Sequence, residues 1–398
     1  MKCLPLLALF LLPAQLLAKP LQVYILAGQS NMQGHAHVRT IEHIGMDPAT
    51  VPMLKDMQNP DGSAKVCDRV WISSIGCGAT EGAEQTGKLT TGFGANQNGP
   101  KIGPEFTFGI YTEKATDAPV LLIKTAWGGK SLNTDFRPPS AGPYVFNETQ
   151  LAGIQKQGKD LAAIKAAKEK ETGVYYRLML DHVKKVLGDI KRVVPDYDAK
   201  QGYELAGFVW FQGWNDMVDS GTYENRDKPG GYSAYSTVMA HFIRDVRKDL
   251  NVPQLPFVIG VLGVGGPTEL YGPEEQRYKT THDNFRNAMA APAELPEFKG
   301  NVAAVRTEKF WDRELTVTKA KENAIKQQAK KQAKEGNMSP ADEKALLEKL
   351  RKEGLTEREQ MVLEKGISNF EFHYLGSAKI LGGIGKGLAE AMAALRKK

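Results

Sequence analysis

The chain has 398 residues, 41% of them hydrophobic and 25% charged, with a formal net charge of +6. That length buries one large core or two ordinary ones, and so mild and unfocused a charge points to neither a nucleic-acid footprint nor a membrane-surface patch. Residues 1–18 hold one Lys, a leucine-rich run from Leu4 to Leu17 and then Ala18 before Lys19-Pro20. This is the pattern of a cleaved export signal; the run is short for a membrane span and Pro13 interrupts it. A retained anchor is the alternative. The remainder, 19–398, is therefore expected to be secreted or periplasmic, with no membrane span and no nucleic-acid partner. In such a compartment Cys67 and Cys77 are expected to close one loop disulfide.

The first predicted element, 23–27, is a short apolar run with β-branched and aromatic members, as expected of a strand buried on both faces of a parallel sheet. It stops at Gly28-Gln29-Ser30-Asn31. A strand that breaks at glycine into small polar residues puts Ser30 in the crevice where open α/β sheets bind ligands. Simple capping of the next helix by Ser30 or Asn31 is the plainer reading. Residues 36–103 read mostly as loop, with a short strand at 70–73. Further strands are expected at 120–125, 205–211, 257–262 and 302–306, and helices at 105–115, 174–191, 232–250, 273–290 and 377–395. This alternation predicts an α/β fold with a mostly parallel five-stranded sheet and helices on both faces. Residues 313–366 are dense in both signs of charge, with helix starts at Ser339-Pro340 and at the capping box Thr356–Glu359. They are expected to form a helical insertion on the outside of the core.

A second strand end carries chemistry. Strand 205–211 breaks at Gln212-Gly213-Trp214-Asn215-Asp216 and delivers the Asn215 amide to the same sheet edge as Ser30. A hydroxyl nucleophile and a donor facing the carbonyl oxygen are what acyl transfer needs, and losing one such donor costs roughly 3–4 kcal/mol of transition-state stabilisation. Other motifs fail. Gly128-Gly129-Lys130-Ser131 ends like a P-loop, but Lys124 stands where the first glycine is required. The 28–32 block lacks the second glycine of a nucleophile elbow. The glycines at 382–385 follow no strand. His35 and His37 read as pocket lining, since no third metal ligand accompanies them, and packing or surface roles suffice for His43, His182, His241 and His282. No metal or other cofactor is expected.

The blocks Gly28-Gln29-Ser30-Asn31-Met32 and Gln212-Gly213-Trp214-Asn215-Asp216 resemble the nucleophile and oxyanion blocks of SGNH hydrolases. More narrowly, they resemble sialate O-acetylesterase-like carbohydrate esterases, which include acetylxylan esterases. Ile102-Gly103-Pro104-Glu105 and the stretch from Lys124 to Ser131 match too. The likeness runs from about Leu21 to Gly263 and resumes near His373, with 313–366 outside it. It implies a flavodoxin-like three-layer α/β/α fold, no metal, and hydrolysis of acetyl esters on a carbohydrate through an acetyl-serine intermediate.

Carried over residue by residue, Ser30 is the nucleophile, its own N–H and the Asn215 side chain are oxyanion donors, and Gly128 or Gly129 supplies a third. His373 is the base. The resemblance places an Asp three residues before that His, where this chain has Phe370. Glu371 and Asp312 are the candidate orienting acids; a backbone carbonyl or a bare Ser–His dyad is the alternative. Gln29, Gln212 and Trp214 are candidate substrate contacts. Arg137, set before Pro138-Pro139, is a candidate for gripping a carboxylate or sulfate. Trp127 and Tyr144 either stack on sugar or belong to the core. With an unperturbed histidine base, activity should rise through about pH 6–7. A secreted glycan-binding protein on an esterase fold, without turnover, is the second reading, motivated by Phe370.

Overall fold

The computed structural model describes residues 19–397, so the expected export signal lies outside the described residues. Seven strands make the main sheet: β1 Leu21–Gly28, β2 Val70–Ile75, β3 Glu84–Lys88, β4 Val120–Ala126, β5 Tyr203–Phe211, β6 Phe257–Val261 and β7 Val302–Arg306. Their order is β3-β2-β4-β1-β5-β6-β7, and every neighbouring pair is parallel except β2 with β3. The sheet is thus wider than the expected five strands. The short strand foreseen at 70–73 extends to Ile75 and joins it, and β3 adds an antiparallel edge. Glu-Gln-Thr-Gly-Lys has no apolar alternation because an edge strand need bury neither face fully.

Nine helices carry the argument: α1 Ser30–Gln33, α2 Pro104–Ala115, α3 Val174–Gly188, α4 Ser233–Asp249, α5 Lys279–Ala290, α6 Arg313–Glu335, α7 Pro340–Gly354, α8 Glu357–Gly366 and α9 Ala378–Arg396. Alternation along β5 shows which layer each helix joins. Phe208 and Trp210 face α4, their ring centroids 5.9 and 4.5 Å from that of Phe242. Phe211 points to the opposite face and meets Tyr374, 5.7 Å away, just before α9. On that second face α9 packs against α2, with the Thr107 hydroxyl donating to the Gly382 carbonyl at 2.8 Å. A side chain at Gly385 would run into the Pro104 carbonyl, so the late glycine cluster serves close helix packing.

The register sets up the site. Gly28 lies opposite Ala126 on one side and Phe211 on the other, which levels the carboxyl ends of β1, β4 and β5. A side chain at Gly28 would strike the Phe211 carbonyl, so glycine lets these strands close up where they end. The chain leaves β1 toward β2 and leaves β5 toward β6, on opposite sides. Diverging connections of this kind open a crevice at the carboxyl edge.

Helices α6–α8 form the insertion, capped by the side chains of Asp312, Ser339 and Thr356. They share a small apolar cluster of Ile325, Leu355 and Leu363. Arg39 clamps the end of the insertion to the segment after α1, donating to the carbonyls of Glu364 and, at 2.7 Å, Ile367. The His37 N–H donates to Ser368 Oγ at 3.0 Å.

The expected disulfide is not formed: Cys67 and Cys77 are both free and buried. They flank β2, and six residues at about 3.3 Å each hold them on the order of 20 Å apart, against a limit of roughly 7 Å between bridged Cα atoms. Among the described residues no helix is long and apolar enough to cross a membrane.

Candidate active site

Ser30 opens α1 directly after β1 and is 7% exposed. Its hydroxyl accepts a long hydrogen bond from Gln29 Nε2 at 3.4 Å. Of the two glycines after β4, Gly128 is the one against the nucleophile. A methyl group there would sit 3.9 Å from Ser30 Cβ and 3.0 Å from Gln33 Oε1, whereas nothing lies within 4 Å of the same point on Gly129.

A lattice of side-chain amides holds Asn215 beside Ser30. Gln29 Oε1 accepts from the Gly213 N–H (3.0 Å), the Asn215 N–H (3.4 Å) and Gln212 Nε2 (3.2 Å). Because two of those donors are main-chain N–H groups, this atom of Gln29 is the oxygen and its other end is the NH₂. That NH₂ donates to Asn215 Oδ1 at 2.9 Å. The flip of Asn215 follows: its oxygen is occupied, and its own NH₂ is left to face the crevice.

Asp216 anchors the far side of the lattice. It accepts from the N–H groups of Leu132 (2.7 Å) and Asn133 (3.0 Å), from Gln212 Nε2 (2.6 Å) and from the Tyr223 hydroxyl (3.1 Å). Burial pushes its carboxyl up to about 6, and these four donors work against that rise. The loop that follows Gly128-Gly129 is thereby tied to the strand end that bears Asn215.

His373 sits in the turn Glu371–Gly376, which lies beside α1. Its Nδ1 meets Asn369 Oδ1 at 2.9 Å, and the same oxygen accepts the Phe370 N–H at 2.7 Å. An atom that accepts a main-chain N–H is the amide oxygen, so Nδ1 of His373 carries a proton and Nε2 holds the lone pair. This is the tautomer a general base needs. The ring of His35 stacks on that of His373 at 3.8 Å, with 2° between their planes. Burial, reinforced by the Lys101 ammonium, pulls His373 down to about 4. Burial and then the neighbouring His373 pull His35 down to about 3. No hydrogen bond joins His373 to Ser30 among the described residues; such a bond commonly tightens only with substrate in place.

Several expected roles change. Glu371 is exposed and makes no hydrogen bond to His373. Asp312 caps α6 and pairs with Lys379 at 2.8 Å, so it too is spent elsewhere. Gln29 and Gln212 are each 1% exposed and act as lattice members behind the site instead of touching substrate. Arg137 has four of its donors committed to its own loop, on Gly142, Asn133 and Ala141, which removes it as an anion grip. Trp127 is core, its indole donating to the Glu81 carbonyl at 3.0 Å, and Tyr144 bonds Thr222 and Gln150. Trp214 stays partly exposed, tilted against Phe372 at 5.6 Å.

Behind α1 lies a buried ion pair, Lys124 with Glu105, at 2.7 Å and with both side chains fully buried. Lys124 Nζ also donates to the carbonyls of Gln33 (2.7 Å) and Phe93 (2.9 Å), and Glu105 accepts the Gly103 N–H at 2.9 Å. The cation therefore holds the carboxyl end of the nucleophile helix.

Sequence reasoning assigned no role to Asn369 or Asp216 and missed the contact that His35 makes. Asn369 precedes His373 by four residues, a spacing that has meaning only once the local turn is known. Asp216 is adjacent to Asn215 and carried no signal of its own beyond that block. His35 was placed in the pocket, but its stacking partner lies more than 300 residues away in the chain.

A family model described as carbohydrate esterase, sialic acid-specific acetylesterase, matches residues 20–309. No curated protein matches the chain. Among solved structures, a protein from Arabidopsis thaliana is 16% identical over 72% of this chain and 86% of its own, with a TM-score of 0.38. A second, titled a novel carbohydrate acetylesterase from Xanthomonas citri, is 14% identical over 71% of this chain and 49% of its own, with a TM-score of 0.37. The chain thus spans about half the length of the Xanthomonas protein.

Proposed function

Because the chain belongs to the sialic acid-specific acetylesterase family of carbohydrate esterases, we propose that it hydrolyses acetyl esters of a carbohydrate with Ser30 as nucleophile, through an acetyl-serine intermediate. Ser30 Oγ attacks the acetyl carbonyl while Nε2 of His373 takes its proton. The developing oxyanion is met by the Asn215 NH₂, the Ser30 N–H and the N–H of Gly128, the glycine nearer the nucleophile. His373 then returns the proton to the departing sugar oxygen. In the second half His373 deprotonates a water, which attacks the acetyl-serine; as the C–Oγ bond breaks and acetate leaves, His373 returns that proton to Ser30 Oγ.

The observation that carries this reading is the pair of fixed amide flips. Gln29 leaves a donor free on Asn215, and Asn369 leaves a lone pair free on His373, Asn215 at the end of β5 and His373 in the turn beside the helix that Ser30 opens. Asn369 in place of an acid leaves the imidazolium without a carboxylate partner, so more of the transition-state stabilisation falls to the oxyanion donors. Export of the enzyme is part of the proposal; it rests on the leucine-rich run at 1–18 and its break at Lys19-Pro20, and fractionation of producing cells tests it.

Acetate release from an acetylated oligosaccharide and from p-nitrophenyl acetate, by wild type and Ser30→Ala, tests the chemistry. The variant should lose at least about 10³-fold in kcat, and acid-quenched wild type should carry one acetyl group on the Ser30 peptide. Equal rates in the two proteins overturn the assignment. Glycan binding without any turnover favours the non-catalytic reading.

A further inference from the structure

The turn that presents His373 also presents an aromatic surface. Phe370 is 69% exposed, second only to Val145 at 77% among the bulky apolar side chains of the described residues. Its ring stacks on Phe372 at 5.3 Å with 11° between the planes. Phe372 in turn contacts His373 edge-on at 4.5 Å and Trp214 at 5.6 Å. The array runs without a break from solvent to the base, and Trp214 ties it to the strand end that carries Asn215.

Leaving a Phe ring in water forgoes the free energy its burial would bring. The backbone accounts for why this one stands out: Asn369 turns inward to hold the ring nitrogen of His373, and the neighbouring Phe370 projects away. We infer that Phe370, Phe372 and Trp214 form a subsite for a sugar ring next to the acetylated one, specifically a pyranose with equatorial substituents. The axial C–H bonds of such a ring make a flat apolar face, which stacks on exposed aromatic rings while its hydroxyls stay in water. The three rings themselves carry no charge, so the shelf selects for an apolar sugar face and for chain length. The inference rests on the esterase reading for the acetyl group's location, while the shelf itself is a binding surface.

The test compares full-length wild type with Phe370→Ala and Phe370→Tyr. Two probes are turned over, a partially acetylated xylo-oligosaccharide of at least four sugars and p-nitrophenyl acetate. The deacetylated oligosaccharide is titrated separately by tryptophan fluorescence. The ratio of kcat/KM for the oligosaccharide to that for p-nitrophenyl acetate should fall about tenfold in Phe370→Ala, mostly through KM, and recover in Phe370→Tyr. Binding of the deacetylated oligosaccharide should weaken by a similar factor. An unchanged ratio with unchanged binding overturns the subsite. Absence of turnover in wild type strikes the esterase reading alone; loss of binding in Phe370→Ala would then still support the shelf, and equal binding would overturn it.

Discussion

At the scale of single residues, a neutral amide holds the ring of His373 where a carboxylate was expected. An amide fixes the tautomer as well as a carboxylate does, but it lends no negative charge to the imidazolium. With burial dominating, His373 is held at about 4, and the base is neutral from there upward. The acidic limb of kcat/KM should therefore lie near pH 4, well below the pH 6–7 that an unperturbed histidine predicts. Asn369→Asp places an opposite charge on Nδ1 and should raise the limb by roughly 1–3 pH units; a pH–rate profile of each protein reads this directly. A limb already at pH 6–7 in wild type would remove His373, as described, from the base role. The sequence pointed to Ser30 and Asn215 through two strand ends that break at glycine, and to His373 through the family resemblance. It could not point to Asn369. Tyr374 and Leu375 follow His373 with φ of 53° and 59°, a left-handed region that bulky residues seldom enter, and no propensity foretells such a turn.

At the scale of elements, the strands and long helices were legible because buried parallel strands read as unbroken apolar runs and amphipathic helices keep their period. The exceptions share a cause. β3 and the helices Glu148–Lys156 and Leu161–Glu171 bury no side chain fully, so no hydrophobic pattern marks them. Lys124 interrupts the apolar run of β4 with a charge, and its reason is the carbonyl of Gln33. One ammonium joins β4, α2 and the end of α1, so removing it alone strands the Glu105 carboxylate in the core. Lys124→Met should cost about 3–5 kcal/mol by urea unfolding, and Lys124→Met with Glu105→Leu should cost less than the single change. If the single variant is as stable as wild type, the pair does not anchor the nucleophile helix.

At the scale of the molecule, one large apolar core unites the sheet and its two helical layers and takes in Leu315 of α6 and Val362 of α8, while the outer part of the insertion rests on a separate cluster of three buried residues, and α7 buries none of its own. The insertion was recognisable as such from its charge density and its two caps. Its tie to the segment after α1 was not, because Arg39 reaches it through main-chain carbonyls that leave no trace in sequence.

Rooted in the main core at Leu315 and Val362 but thinly cored beyond them, the lobe should open on its own before the sheet gives way. Amide hydrogen exchange across 313–366 should accordingly outpace that of β1, β4 and β5, and in a urea series hydrolysis should fade while the far-ultraviolet signal of the sheet is still intact. Coincident curves would mean the lobe and the sheet melt together. Otherwise the enzyme carries a built-in weak point: mild stress would silence it by unhooking the segment that bears its base, and gentle dilution would restore it without refolding the rest.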